Sequence, residues 1–165
     1  MALVKLNNQS ISEVTGLPAG VGGKVLQVVQ GSTISQVVTA TTTTTDTGLS
    51  ASITPSSASS KIVIVVAQSF YLNGENTISS GSLFLVRGAT TIGNTGEYSA
   101  WSSTYTTNYQ DNGYGLIYSI NYLDSPSTTS STTYKTQQKL RDGNRCETQR
   151  DGTHTSYIIL MEIGA

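Results

Sequence analysis

Cys146 and His154 are the only thiol and the only imidazole in the chain, eight residues apart across an Asp151-Gly152 step. Brought together, they would be a nucleophile and its base. No catalytic signature surrounds either residue, so the reading of the sequence is a part-buried cysteine and a loop histidine. One His and one Cys also fall short of a tetrahedral zinc site within a single chain. Asp142, Glu147 and Asp151 offer oxygen ligands, but their spacing matches no calcium loop. Gly20-Val21-Gly22-Gly23 leads into no helix, so it is not a phosphate-binding turn. These residues point away from an enzyme and from any cofactor or metal.

Composition narrows the partners. The net charge is −1 and only 12% of residues are charged, against ~25% in an average globular chain. The nine basic residues are scattered, so neither nucleic acid nor an anionic membrane is an expected partner. With one cysteine, no intrachain disulfide forms. Met1–Leu6 runs straight into Asn7-Asn8-Gln9-Ser10, which leaves no apolar core for a signal peptide. Asn8-Gln9-Ser10 fits the glycosylation pattern, which a protein without export would not use. The longest apolar run, Ile62–Ala67, is far shorter than the ~20 residues of a membrane helix. A soluble chain with nothing to mark it for export is expected.

The elements around these residues read as strands. Serine and threonine make up 48 residues, yet the apolar residues fall in compact runs, and branching at Cβ suits a pleated surface. Strands are expected at Val25–Val29, Ser35–Thr39, Leu49–Thr54, Lys61–Leu72, Ser82–Arg87, Thr90–Ile92, 114–122, Thr132–Leu140 and 157–163. Asn73-Gly74, Asn112-Gly113, Asp142-Gly143 and Asp151-Gly152 are the dipeptides that accept positive φ between them. The expected fold is all-β: an antiparallel β-sandwich or jelly roll over residues 24–165, preceded by an extended arm and flexible joint over 1–23. The runs at 62–67 and 157–163 are apolar on both sides apart from Glu162, which predicts central strands with both faces covered. Each large side chain buried there contributes about 1.5–3 kcal/mol. The threonine run Thr41–Thr45 is read as an exposed edge strand.

Three features remain as interaction candidates. Leu3, Val4, Leu6, Ile11 and Val14 punctuate the polar arm and suit docking onto another protein. Tyr98, Trp101, Tyr105, Tyr109, Tyr114, Tyr118 and Tyr122 concentrate most of the aromatic residues in one stretch. Tyr114, Tyr118 and Tyr122 face the core or a subunit interface; a sugar-binding platform is the lesser reading. Arg141–Gly152 carries six of the nineteen charges and contains Arg-Asp-Gly twice. Two Asp-Gly turns around a short strand predict a charged hairpin there. It is either a solvated loop or a place where Arg145 and Glu147 pair between subunits.

Gly23-Lys24-Val25-Leu26-Gln27-Val28-Val29-Gln30, then Asp46-Thr47-Gly48-Leu49-Ser50-Ala51-Ser52-Ile53-Thr54-Pro55-Ser56-Ser57-Ala58-Ser59-Ser60-Lys61-Ile62-Val63-Ile64, and the closing Thr155–Ile163 resemble virion structural modules of tailed phages, particularly phages of aquatic bacteria and cyanobacteria. The likeness covers about residues 23–165 and is strongest over 46–65. It implies a jelly-roll sandwich, usually trimeric, located in the virion and assembled in the host cytoplasm, with no catalytic residues. Only about 23 residues precede the β module, and no repetitive shaft stands before it. That favours a capsid decoration (cement) homotrimer bound to the major capsid protein or another virion protein. The alternatives are a tail fibre or receptor-binding tip, which would bind a host surface glycan, and a free-standing carbohydrate-binding module.

Overall fold

The alternation in Lys61–Asn73 sends Ile62, Ile64 and Val66 to one side, where they are fully buried, and Val63, Val65 and Ala67 to the other. The strand that carries this pattern is the centre of the molecule. In a computed structural model of the chain, residues 25–73, 79–94, 100–102 and 113–164 are described. The candidate arm with Leu3, Val4, Leu6, Ile11 and Val14 lies outside them, as do Tyr98, Tyr105 and Tyr109.

The strands are β1 (Val25–Thr33), β2 (Val37–Thr39), β3 (Thr45–Ile53), β4 (Lys61–Asn73), β5 (Ser79–Arg87), β6 (Thr90–Asn94), β7 (Ala100–Ser102), β8 (Gly113–Asp124), β9 (Thr132–Asp142), β10 (Arg145–Thr148) and β11 (Ser156–Ile163), with a 3-10 turn η1 at Arg150–Gly152. They form two antiparallel sheets, a β-sandwich. In the first sheet β1, β11, β4 and β8 lie side by side, while β10 and then β2 continue beside the C-terminal part of β4. The second runs β3-β9-β5-β6, with β7 against the start of β5. Taking the eight principal strands in chain order, the sheets read first-eighth-third-sixth and second-seventh-fourth-fifth, which is the jelly-roll order. Among the described residues no helix is long and apolar enough to cross a membrane.

The core lies between the sheets. Ile62, Ile64, Val66, Ile158 and Leu160 from one face meet Leu49, Ile53, Leu83, Leu85 and Tyr134 from the other. Beside this apolar half lies a polar one. Gln68 accepts from Thr136 Oγ1 at 2.7 Å across the sandwich, and Thr136 meets Thr47. Ser156 Oγ accepts from Gln68 Nε2 at 3.1 Å and from the Ser69 backbone N–H at 3.0 Å. It donates to the amide oxygen of Gln149, whose nitrogen then donates to the carbonyls of Ser35 and Thr47 at 3.0 and 3.2 Å. Buried polar groups persist when partners replace the water they lost, and here each of these side chains has several.

Three expectations change in the folded chain. Thr41–Thr43 form a bend, not an edge strand, and only Thr45 belongs to β3. The reason is local: Thr41 Oγ1 accepts from the Thr43 N–H at 3.4 Å and Thr45 Oγ1 donates to the Thr43 carbonyl at 3.4 Å. Such bonds compete with ladder pairing. Secondly, Arg141–Gly152 is not a hairpin. Gly143 has the positive φ of 102° expected of its turn, but the chain there crosses from the second sheet to the first. β10 pairs with β2 and β4, not with β9, and Cys146, Glu147, Thr148 and Gln149 are buried. Thirdly, β4 and β11 are central as expected, yet over Lys61–Ala67 and Tyr157–Ile163 only their inner side is covered by the described chain. Val63, Val65, Ile159 and Met161 on the outer side stay partly exposed.

Candidate functional site

The residue types with chemical potential are engaged in structural contacts. Cys146 sits in the core cluster, fully buried, and burial foremost pushes its thiol up to about 12. A thiol held protonated this way is a poor nucleophile. His154 is exposed, its Nδ1 3.1 Å from both Thr153 Oγ1 and the Arg150 carbonyl. It borders the outer side of the first sheet while Cys146 faces the inner side, so the two do not converge. No group of three or more His, Cys, Asp or Glu gathers among the described residues in a way that holds a metal.

The charged segment is knitted into its own chain. Arg145 pairs with Glu147, which also accepts from Gln36 Nε2 at 2.7 Å and is buried. That pairing is within the subunit. Asp142 accepts from Ser80 Oγ at 2.9 Å. Gln149 and Asp151 take left-handed φ values of 50° and 58°, which turn the chain back over the sheet and place the Arg150 guanidinium 3.9 Å above the ring of Tyr71. A groove of about 440 Å³ opens beside this stack. Tyr71, Gly115 and Ile117 line its base, and Arg150, Asp151 and His154 stand along one wall.

Of the three tyrosines proposed for an interface, Tyr118 packs edge-on against Phe70 at 5.8 Å, on the core side of β8, and burial raises its hydroxyl pKa. Tyr122 pairs in register with Ile64, on the same side, and remains partly exposed near the sheet edge. Tyr114 pairs in register with Leu72; its side chain lies outside the described residues.

The feature that sequence reading missed is the outer face of the first sheet. Register places Val28, Met161, Val63 and Leu123 in one row across β1, β11, β4 and β8. The next row is Gln30, Ile159, Val65 and Asn121, and the one after it Ser32, Tyr157, Ala67 and Ser119. Leu26 is 55% exposed, Val28 58%, Leu123 53% and, beyond the rows, Ile117 73%. An apolar centre with an uncharged polar rim results, and Lys61 at one end is the only charged residue on these strands' outer positions from Leu26 to Ser32, Tyr157 to Ile163, Lys61 to Ala67 and Ser119 to Leu123. The signal was present in the two-sided apolar runs of β4 and β11. It was read as a demand for cover that the single chain would meet.

No protein-family model and no curated protein sequence matches the chain. Among solved structures, one of infectious bursal disease virus (Gt strain) aligns over 100% of this chain and 43% of its own, with 11% identity and a TM-score of 0.40. A crystal structure of dimeric latent PorU from Porphyromonas gingivalis aligns over 87% of this chain and 14% of its own, with 8% identity and a TM-score of 0.35. The chain thus spans less than half the length of either, and at these scores neither assigns it to a family.

Proposed function

We propose that this protein is a non-enzymatic structural component of a bacteriophage virion, a homotrimer that decorates the capsid shell and binds the major capsid protein or a neighbouring virion protein. The observation that carries this reading is a jelly-roll sandwich whose first sheet, among the described residues, leaves a broad apolar face uncovered. Contiguous apolar surface of this kind marks association. The resemblance of residues 46–65 to tailed-phage virion modules supplies the setting, and homotrimers suit the local threefold points of an icosahedral lattice. Jelly rolls serve shells and lectins alike, so the fold by itself does not choose.

Imaging of particles with and without the protein tests the reading: density on the shell is expected, and density at the tail would replace it. Deleting residues 1–18 is expected to leave the oligomer folded and weaken its attachment to particles. The groove beside Arg150 favours one second reading, a receptor-binding tail tip that holds a host glycan against Arg150, Asp151 and His154. A glycan array with no binder excludes it. Light scattering showing a monomer would favour a free-standing carbohydrate-binding module instead.

A further inference from the structure

We infer that the outer face of β1-β11-β4-β8 is the surface by which three copies of this chain assemble, each face turned inward toward a common threefold axis. This deepens the homotrimer reading above and rests on it. β4 and β11 carry apolar residues on both sides, and strands of that kind occur where both faces are covered. The second sheet covers the inner side. Among the described residues nothing covers the outer side over Lys61–Ala67 and Tyr157–Ile163.

Dimensions and charge favour copies of the chain itself. Strands lie about 4.8 Å apart, so a four-stranded face is roughly 19 Å wide. Neighbouring faces need about one strand spacing at each corner, so three of them enclose a triangular prism about 24 Å on a side, with an inscribed radius of about 7 Å. Face-to-face sheets sit about 10 Å apart, so one layer of side chains fills about 5 Å. A side-chain layer of that depth leaves only about 2 Å at the axis, too narrow for a water-filled channel, so Met161, Val63, Ile159 and Val65 meet there. β1, β11, β4 and β8 lie side by side along the N-terminal part of β4, which is where the outer face is apolar. Further along β4, Arg150 lies over Tyr71 on that side. Around a threefold axis every central residue approaches its own counterparts, so a charge there would repel itself. The central rows hold none. Each prism corner brings the β1 side of one copy, with Leu26 and Val28, against the β8 side of the next, with Leu123. This accounts for apolar residues at both sheet margins.

Light scattering on the purified full chain, together with three single variants, tests the inference. The wild type is expected at three chain masses, and Val63→Lys at one chain mass at micromolar concentration with an unchanged circular dichroism spectrum. Val65→Cys, treated with a bis-maleimide cross-linker, is expected to give a two-chain band on a denaturing gel: threefold mates lie roughly 10–12 Å apart between Cα atoms, beyond a disulfide's reach of about 7 Å, and Cys146 is buried. Ser52→Cys, on the outer side of the second sheet, is expected to give none. A wild type at one or two chain masses overturns the inference, and so does a trimeric Val65→Cys protein that forms no two-chain band. Where Val63→Lys fails to fold, the crosslink decides alone. A monomer whose Val65→Cys thiol becomes alkylated only after residues 1–23 are removed assigns the face to the chain's own N-terminal segment and also overturns it. A trimer that disperses on substitution yet is absent from virions would defeat the capsid reading and leave this one standing.

Discussion

Tyr134 donates its hydroxyl hydrogen to Asp124 at 2.7 Å across the gap between the sheets, and Arg87 holds the same carboxylate at 2.9 Å. Burial together with this bond raises the tyrosine's pKa strongly. One carboxylate at the end of β8 thus ties together β5 and β9 of the opposite sheet. Tyr134→Phe removes a buried hydrogen bond to a charged acceptor and is expected to lower stability by about 1–3 kcal/mol. Asp124→Ala, which also strips Arg87 of its partner, is expected to cost more. Urea unfolding midpoints measure both, and an unchanged midpoint for Tyr134→Phe would show the clip to be energetically idle.

Glu162 gives the protein an acid-sensitive end. Its carboxylate accepts from the Ser56 N–H at 2.7 Å, from Ser56 Oγ at 2.6 Å and from Gln27 Nε2 at 2.6 Å, and these bonds, Ser56 foremost, bring its pKa from the usual 4.5 to about 2. A carboxylate with a depressed folded-state pKa stabilises the fold above its unfolded value and loses that contribution as pH falls. The loss is expected between about pH 4.5 and pH 2. Glu162→Gln is expected to lower stability at pH 7 by about 1–3 kcal/mol and to flatten the melting temperature across that acid window. Parallel wild-type and variant curves from pH 5 to 2 would refute the assignment.

Cys146 is expected to resist alkylating reagents in the native protein at pH 8 and to react fully in urea, because its thiol is buried and pushed up to about 12. Mass spectrometry after a timed exposure to iodoacetamide reads the difference. Rapid native labelling would mean that β10 opens.

Two glycines make opposite predictions. A Cβ on Gly31 would lie 2.1 Å from the Ser50 carbonyl oxygen, where β1 and β3 close one side of the sandwich. Gly31→Ala is expected to destabilise by about 1–3 kcal/mol through overpacking. Among the described residues, a Cβ on Gly115 meets only Tyr71 Cδ2, at 3.6 Å. Gly115→Ala is expected to be neutral or to stabilise by about 0.5–1 kcal/mol, since glycine in a strand carries an entropic cost. Thermal melts of the pair check the contrast.

Much of the secondary structure was legible because strands and turns are written locally. Lys61–Leu72 and Thr132–Leu140 match β4 and β9 to within two residues, and Gly143 and Gly152 take the positive φ their Asp-Gly context calls for. Β-branched residues and alternation are properties of short windows, so no tertiary knowledge was needed. Errors arose where a polar residue has an unforeseen partner. Gln68, Ser156 and Glu162 point inward and are fully buried, although hydropathy alone assigns such residues to the surface. Their burial depends on Thr136, Gln149, Ser56 and Gln27, which are distant in sequence.

The candidate site was less legible still. The sequence offers Arg145 and Glu147 either as residues of a solvated loop or as partners between subunits. The folded subunit pairs them within itself. Val28, Val63, Leu123 and Met161 are spread over most of the chain, and nothing in their local context marks them as neighbours.

The sequence by itself determined that the chain is an all-β sandwich rather than a helical or mixed protein, because Cβ branching, alternation and turn dipeptides act over a few residues. Only the tertiary structure decided which sheet each strand joins, which polar side chains share the interior, and which apolar face the described chain leaves uncovered. Those outcomes depend on register between distant strands, where a slip of one residue exchanges the buried face for the exposed one.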